Sequence, residues 1–123
     1  MEAMIIKNFL EFHTRDVESI LTHRLEIFSL PIDTSLKEAI KLVLKQPYSR
    51  IPVYEKDKEN IKGFVTIRDL LKRFYEDKDN RSQPLSKFKI RKIMKIPVTA
   101  NIFEVFLRMK KEGQHMALVV DEY

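Results

Sequence analysis

The chain has 123 residues, 44% hydrophobic and 33% charged, with only two Gly, which suits a helix-containing globular domain with a real core and argues against disorder. It has no Cys, so disulfides, thiolate metal ligands and a cysteine nucleophile are excluded; its apolar runs fall well short of the ~20 residues of a bilayer span, and it opens on no signal-peptide apolar region. A net charge of +5 and a pI near 9.4 admit nucleic acid, anionic lipid or nucleotide phosphate as partners, but outside Lys87-Phe88-Lys89-Ile90-Arg91-Lys92 and Lys95 the bases are interleaved with acids, as on a solvated surface.

From the N-terminus, Met4, Ile5, Phe9 and Phe12 recur near helical spacing and predict a short amphipathic helix over residues 1 to 12. Thr14 then caps a further turn in which Val17, Ile20 and Leu21 share a face. Thr22-His23-Arg24-Leu25-Glu26-Ile27 follows. From Leu36 to Lys45 the apolar positions 36, 39, 40, 43 and 44 trace one face of a helix, which Thr34 or Ser35 with Glu38 caps and Pro47 ends. That stripe reads as core, not as a cofactor box.

Ile51 to Tyr54 and Ile61 to Thr66 are β-branched and aromatic, with the turn-forming Glu55-Lys56-Asp57-Lys58-Glu59-Asn60 between them, and predict a β-hairpin. A helix over Ile67 to Tyr75 follows at once. Thr66 at its N-cap and Asp69 three residues later admit two readings. The common one is a helix cap. In the other, a hydroxyl and a carboxylate one turn apart, beside free amides and after Gly63, which lets a ligand come close, hold a phosphate and a ribose. Arg24 and Arg50 are then natural phosphate partners through paired guanidinium donors, and otherwise strand-edge surface residues. Glu76 to Pro84 is a polar, turn-rich linker whose acids lack metal-ligand spacing. His13, His23 and His115 are isolated, which argues against a histidine metal site or a catalytic histidine.

Shifted by 66 residues, Ile27 to Glu55 aligns with Ile93 to Asp121 without a gap. Pro31/Pro97, Glu38/Glu104, Lys45/Lys111 and Val53/Val119 are identical, and Leu36/Ile102, Ala39/Val105 and Val43/Met109 stay apolar. Both copies read strand, helix, strand.

Ser49-Arg50-Ile51-Pro52-Val53-Tyr54 with Gly63-Phe64-Val65-Thr66-Ile67-Arg68-Asp69-Leu70-Leu71, and later His115-Met116-Ala117-Leu118-Val119-Val120-Asp121-Glu122-Tyr123, resemble the paired cystathionine-β-synthase-type (CBS) repeats of the CorC/HlyC/CNNM family of magnesium and cobalt efflux and haemolysin-like membrane proteins. The resemblance covers residues 4 to 123 and implies an α/β (α+β) fold of tandem CBS repeats, each a small sheet with flanking helices. Its divisions are a helical lead-in over 1–16, a first repeat over 17–75, a linker over 76–90 and an incomplete second repeat over 91–123. It further implies an adenosine nucleotide, ATP or AMP, with or without Mg2+. Thr66 would face phosphate, Asp69 the ribose hydroxyls, Thr22, Arg24 and Arg50 the mouth of the cleft, and the backbone of Ile51, Pro52 and Val53 the adenine. His23 stands where the family reads Pro, which leaves the geometry of Thr22 and Arg24 less constrained.

The leading functional reading is therefore a regulatory nucleotide-binding module, not an enzyme, attached to a transmembrane transport domain on the cytoplasmic side of a membrane. The strand over Ala117 to Val120 lacks a hairpin partner in the incomplete repeat, and that edge predicts a homodimer or a swapped arrangement. An alternative keeps the fold as a dimerising connector without ligand. Nucleic-acid binding through Lys87 to Lys95 is a minor reading, and no nucleophile, base and orienter occur together to suggest an enzyme.

Overall fold

The computed structural model describes residues 27–120 and contains small sheets with helices packed on them, a mixed α/β fold. Contacts divide the chain into one compact unit over His23–Lys92 and another that includes the residues from Ile93 onward. The expected N-terminal helix and the turn after it lie outside the described residues.

The first unit runs β1 (Leu30–Pro31), α1 (Leu36–Val43), β2 (Arg50–Tyr54), β3 (Ile61–Thr66) and α2 (Ile67–Glu76). Its sheet has the order β1-β2-β3, with β1 parallel to β2 and β2 antiparallel to β3. The hairpin forms as its residues dictate: Ile51, Val53 and Val65 are fully buried, while the polar loop closes on itself through the Glu55 amide donating to the Asn60 carbonyl at 3.1 Å. Lys56 adopts φ 72° in that loop, beside a register shift at Val53/Tyr54. Leu36, Ala39 and Val43 of α1 and Leu70 of α2 close the core, as the 3.6-residue period requires.

An α-helix begins with four amides that have no partner inside it. In α1 the Glu38 amide donates to Ser35 Oγ at 3.2 Å, and the Ala39 amide then makes the first regular helical bond, to the Ser35 carbonyl at 2.8 Å. The Leu36 amide donates to the Gln83 carbonyl and the Lys37 amide to the Arg81 carbonyl, both at 2.9 Å. The segment after α2 thus completes the cap of α1. Leu85 in the same segment is fully buried within the core, and its amide donates to the Thr34 carbonyl at 2.8 Å. A stretch that reads as a solvated linker is hydrogen-bonded and packed, because a backbone carbonyl of any residue serves as the acceptor and Leu85 supplies a fully buried anchor, with Phe88 and Ile90 packed on the core beside it. Arg81 adds to the attachment, donating from Nε to the Phe74 carbonyl at 2.9 Å with its guanidinium 3.6 Å from the centre of the Phe74 ring.

The second unit contains β4 (Met94–Pro97), α3 (Ile102–Glu112) and β5 (Ala117–Val120), with β4 parallel to β5. It repeats the first at the offset of 66 residues down to the register. Leu30 pairs with Val53 and Ile96 with Val119; Pro31 pairs with Tyr54 and Pro97 with Val120. The caps coincide as well, Ser35 on α1 and Asn101 on α3, where Asn101 Oδ1 accepts from the Phe103 amide at 2.9 Å and the Glu104 amide at 3.2 Å. Gly113 ends α3 at φ 67°, a left-handed conformation that glycine adopts without a Cβ clash. Among the described residues β5 pairs with β4 alone, and none forms a helix long and apolar enough to cross a membrane.

Candidate functional site

The junction of β3 and α2 concentrates the polar chemistry of the first unit. Thr66 is the last residue of β3 and the N-cap of α2, in extended backbone, and its hydroxyl accepts from the Asp69 amide at 3.0 Å. This is the cap that Thr-x-x-Asp spacing predicts. Arg50 is directly opposite Thr66 in the β2–β3 register, and the Ile67 amide donates to the Ser49 carbonyl at 3.0 Å. The start of β2 is thereby fastened to the start of α2. Arg50 is half-buried and makes no ion pair among the described residues, so its guanidinium donors lack a carboxylate partner there.

Ile51, Pro52 and Val53 continue β2 from that corner into the unit with buried side chains, which leaves only backbone for any ligand to meet. Val53 lies between Leu30 of β1 and Gly63 of β3, inside the sheet, whereas Ile51 and Pro52 precede the stretch that β1 pairs. Thr22 and Arg24 lie outside the described residues.

Asp69 stands in the first turn of α2, where the positive end of the helix favours a carboxylate. Both its oxygens are engaged by one guanidinium: Arg91 Nε donates to Oδ2 at 2.9 Å and Nη2 to Oδ1 at 3.2 Å. Those paired hydrogen bonds hold the Asp69 carboxyl below the usual carboxylate range against the opposing effect of partial burial, with the Thr66 hydroxyl and the charges of Arg91 and Lys89 adding to the lowering. The pair lies at the surface, with the Asp69 side chain 21% exposed and that of Arg91 42%.

Sequence spacing does not reveal Arg91, whose partner is 22 residues away. The alternation in Lys87-Phe88-Lys89-Ile90-Arg91 is the available signal: Phe88 and Ile90 pack on the core while the three bases are exposed, which is the period of an extended strand. Phe64 and Arg91 exchange both backbone hydrogen bonds, at 3.0 and 2.9 Å, and this segment covers the edge of β3. It also revises the role of Gly63. A Cβ there would run into the Arg91 carbonyl oxygen and lie 2.7 Å from Ile90 Cγ2, so the glycine makes room for the protein's own backbone rather than for a ligand. His115 is exposed in the second unit, and no group of three potential metal-ligating side chains occurs among the described residues.

Residues 17–76 match the CBS domain family. Over 99% of its length the chain is 33% identical to the UPF0053 protein YugS of Bacillus subtilis (strain 168) and 30% identical to a hemolysin C homolog of Rickettsia rickettsii (strain Sheila Smith), of which it spans 28% and 40% respectively. Among solved structures, the CBS domain of a bacterial CNNM/CorC family Mg2+ transporter in complex with ATP superposes with a TM-score of 0.86 at 26% identity, over 99% of this chain and 84% of that one. The short parallel pairing of β1 with β2, the hairpin with its Thr-capped helix and these likenesses agree: residues 17–76 are a CBS domain, and the chain as a whole is similar to the CBS-domain regions of CNNM/CorC and hemolysin C proteins.

Proposed function

We propose that this chain is a regulatory module that binds an adenosine nucleotide, ATP or AMP with or without Mg2+, and passes the bound state to a membrane transport domain of the protein to which it belongs. The observation that carries this reading is the placement of Arg50 against Thr66 at the start of α2: a guanidinium without a carboxylate partner among the described residues, beside a hydroxyl at a helix N-terminus, is a donor set that suits phosphate. The ATP complex of a similar CBS domain supports it. Asp69 would take the ribose hydroxyls, Thr22 and Arg24 would extend the mouth, and the backbone of Ile51, Pro52 and Val53 would border the adenine. Such a module performs no chemistry; it acts by binding one state of the larger protein more tightly than another. The transport domain would place it on the cytoplasmic side of a membrane, and pairing through the outer edge of β5 would make it a homodimer.

A second reading, a connector without ligand, draws on a specific observation: the Thr66 hydroxyl already caps α2 and the Asp69 carboxylate is already bonded to Arg91. Calorimetric titration with ATP and with AMP separates the two. The nucleotide reading expects saturable binding that Asp69→Ala and Arg50→Ala each weaken about tenfold or more, as loss of a charge-assisted contact requires. Heat of dilution alone would leave the connector.

A further inference from the structure

We propose that Arg91 is a latch on the nucleotide site, one that a ribose has to open. The inference rests on the nucleotide reading above and adds a regulatory element to it. A carboxylate accepts two parallel hydrogen bonds from a guanidinium fork, and it accepts two from the adjacent hydroxyls of a ribose in much the same way. In this structure the fork is in place. Arg91 Nε and Nη2 each take one oxygen of Asp69, at 2.9 and 3.2 Å, the pair of acceptors that the diol needs.

The geometry around the pair suits a catch that opens without unfolding. The backbone of Arg91 is fixed independently of its side chain, through the two hydrogen bonds it exchanges with Phe64. Asp69 is fixed by α2 and by the Thr66 cap. Only the Arg91 side chain, which is 42% exposed, has to swing for the carboxylate to be released. No buried group loses a partner when it does. Once released, the guanidinium carries its donors to the vicinity of a ligand with negative phosphates, so an ATP or AMP that opens the latch can offer Arg91 a new anionic partner, whereas a nucleoside cannot. The latch therefore selects for phosphorylated ligands without any contact to them in the closed state.

The test uses the full chain and two probes, adenosine and ATP, with Arg91→Ala beside the wild type. Adenosine is neutral, so salt has little direct effect on its binding, while an exposed ion pair weakens as salt rises. The latch predicts that Arg91→Ala binds adenosine about two- to fivefold more tightly than the wild type, the factor an exposed ion pair corresponds to. It predicts that adenosine affinity of the wild type rises between low and high salt while that of Arg91→Ala does not. It also predicts that the preference for ATP over adenosine shrinks in the variant. Equal or weaker adenosine binding by Arg91→Ala, with no salt effect in the wild type, overturns the latch and makes Arg91 a fixed support of Asp69, yet leaves nucleotide binding standing. Absence of binding of both probes by both proteins, with melting curves showing both folded, overturns the nucleotide reading and the latch with it.

Discussion

Asp69 shows how one side chain takes part in local and long-range structure at once. Its amide completes the Thr66 cap and its carboxylate holds Arg91. The first half is legible from spacing, since a cap closes over three residues. The second is not, since nothing local ties position 69 to position 91. The ion pair has a pH consequence whose sign is fixed. The folded state lowers the Asp69 pKa, so it contributes stability above the unfolded-chain value of about 3.9 and loses that contribution as pH falls through the depressed folded value. Thermal melts of wild type and Asp69→Asn should therefore differ at pH 7 and converge as pH drops below about 4. A difference that persists unchanged into acid would assign the effect to packing instead of charge.

Among the elements, α1 and the hairpin were readable because their signals are apolar and periodic: positions 36, 39, 40 and 43 are all buried. The helix ends at Val43, two residues before the predicted Lys45, with Leu44 as C-cap and 61% exposed, so the last apolar position of the stripe is not core. Residues 76 to 90 were the least readable, because their attachment runs through backbone carbonyls, which leave no mark in composition. Leu85, Phe88 and Ile90 are the apolar residues of this stretch's second half, and all three meet the core. Leu85→Ala empties a fully buried site and should cost about 2–5 kcal/mol in urea denaturation, a core-sized loss from a segment that looks like a tether. A cost below about 1 kcal/mol would show that the segment detaches freely.

For the whole molecule, the 66-residue self-alignment foretold more than element order, since strand pairing and helix caps fall on equivalent residues in both units. What it did not foretell is the difference in depth of core. Among the described residues ten buried side chains form the first core and three the second. Apolar burial is the main source of stability, so local opening should be easier where less of it is present. Hydrogen exchange should find amides of β2 and β3 protected longest and those of β4 and β5 exchanging earlier, and the reverse order would overturn this ranking of the two cores.

The bonds from the Leu36 and Lys37 amides to carbonyls more than forty residues downstream bear on how this chain can be divided in the laboratory. A boundary chosen by composition would fall near Glu76, at the end of α2. A fragment stopped there would expose two donors at the head of α1 and an empty slot where Leu85 belongs, and it would strip the cover from the outer edge of β3. Trimming after Lys92 keeps all three, so a piece of the first unit that retains its own cap, core leucine and edge cover runs about sixteen residues past the end of α2.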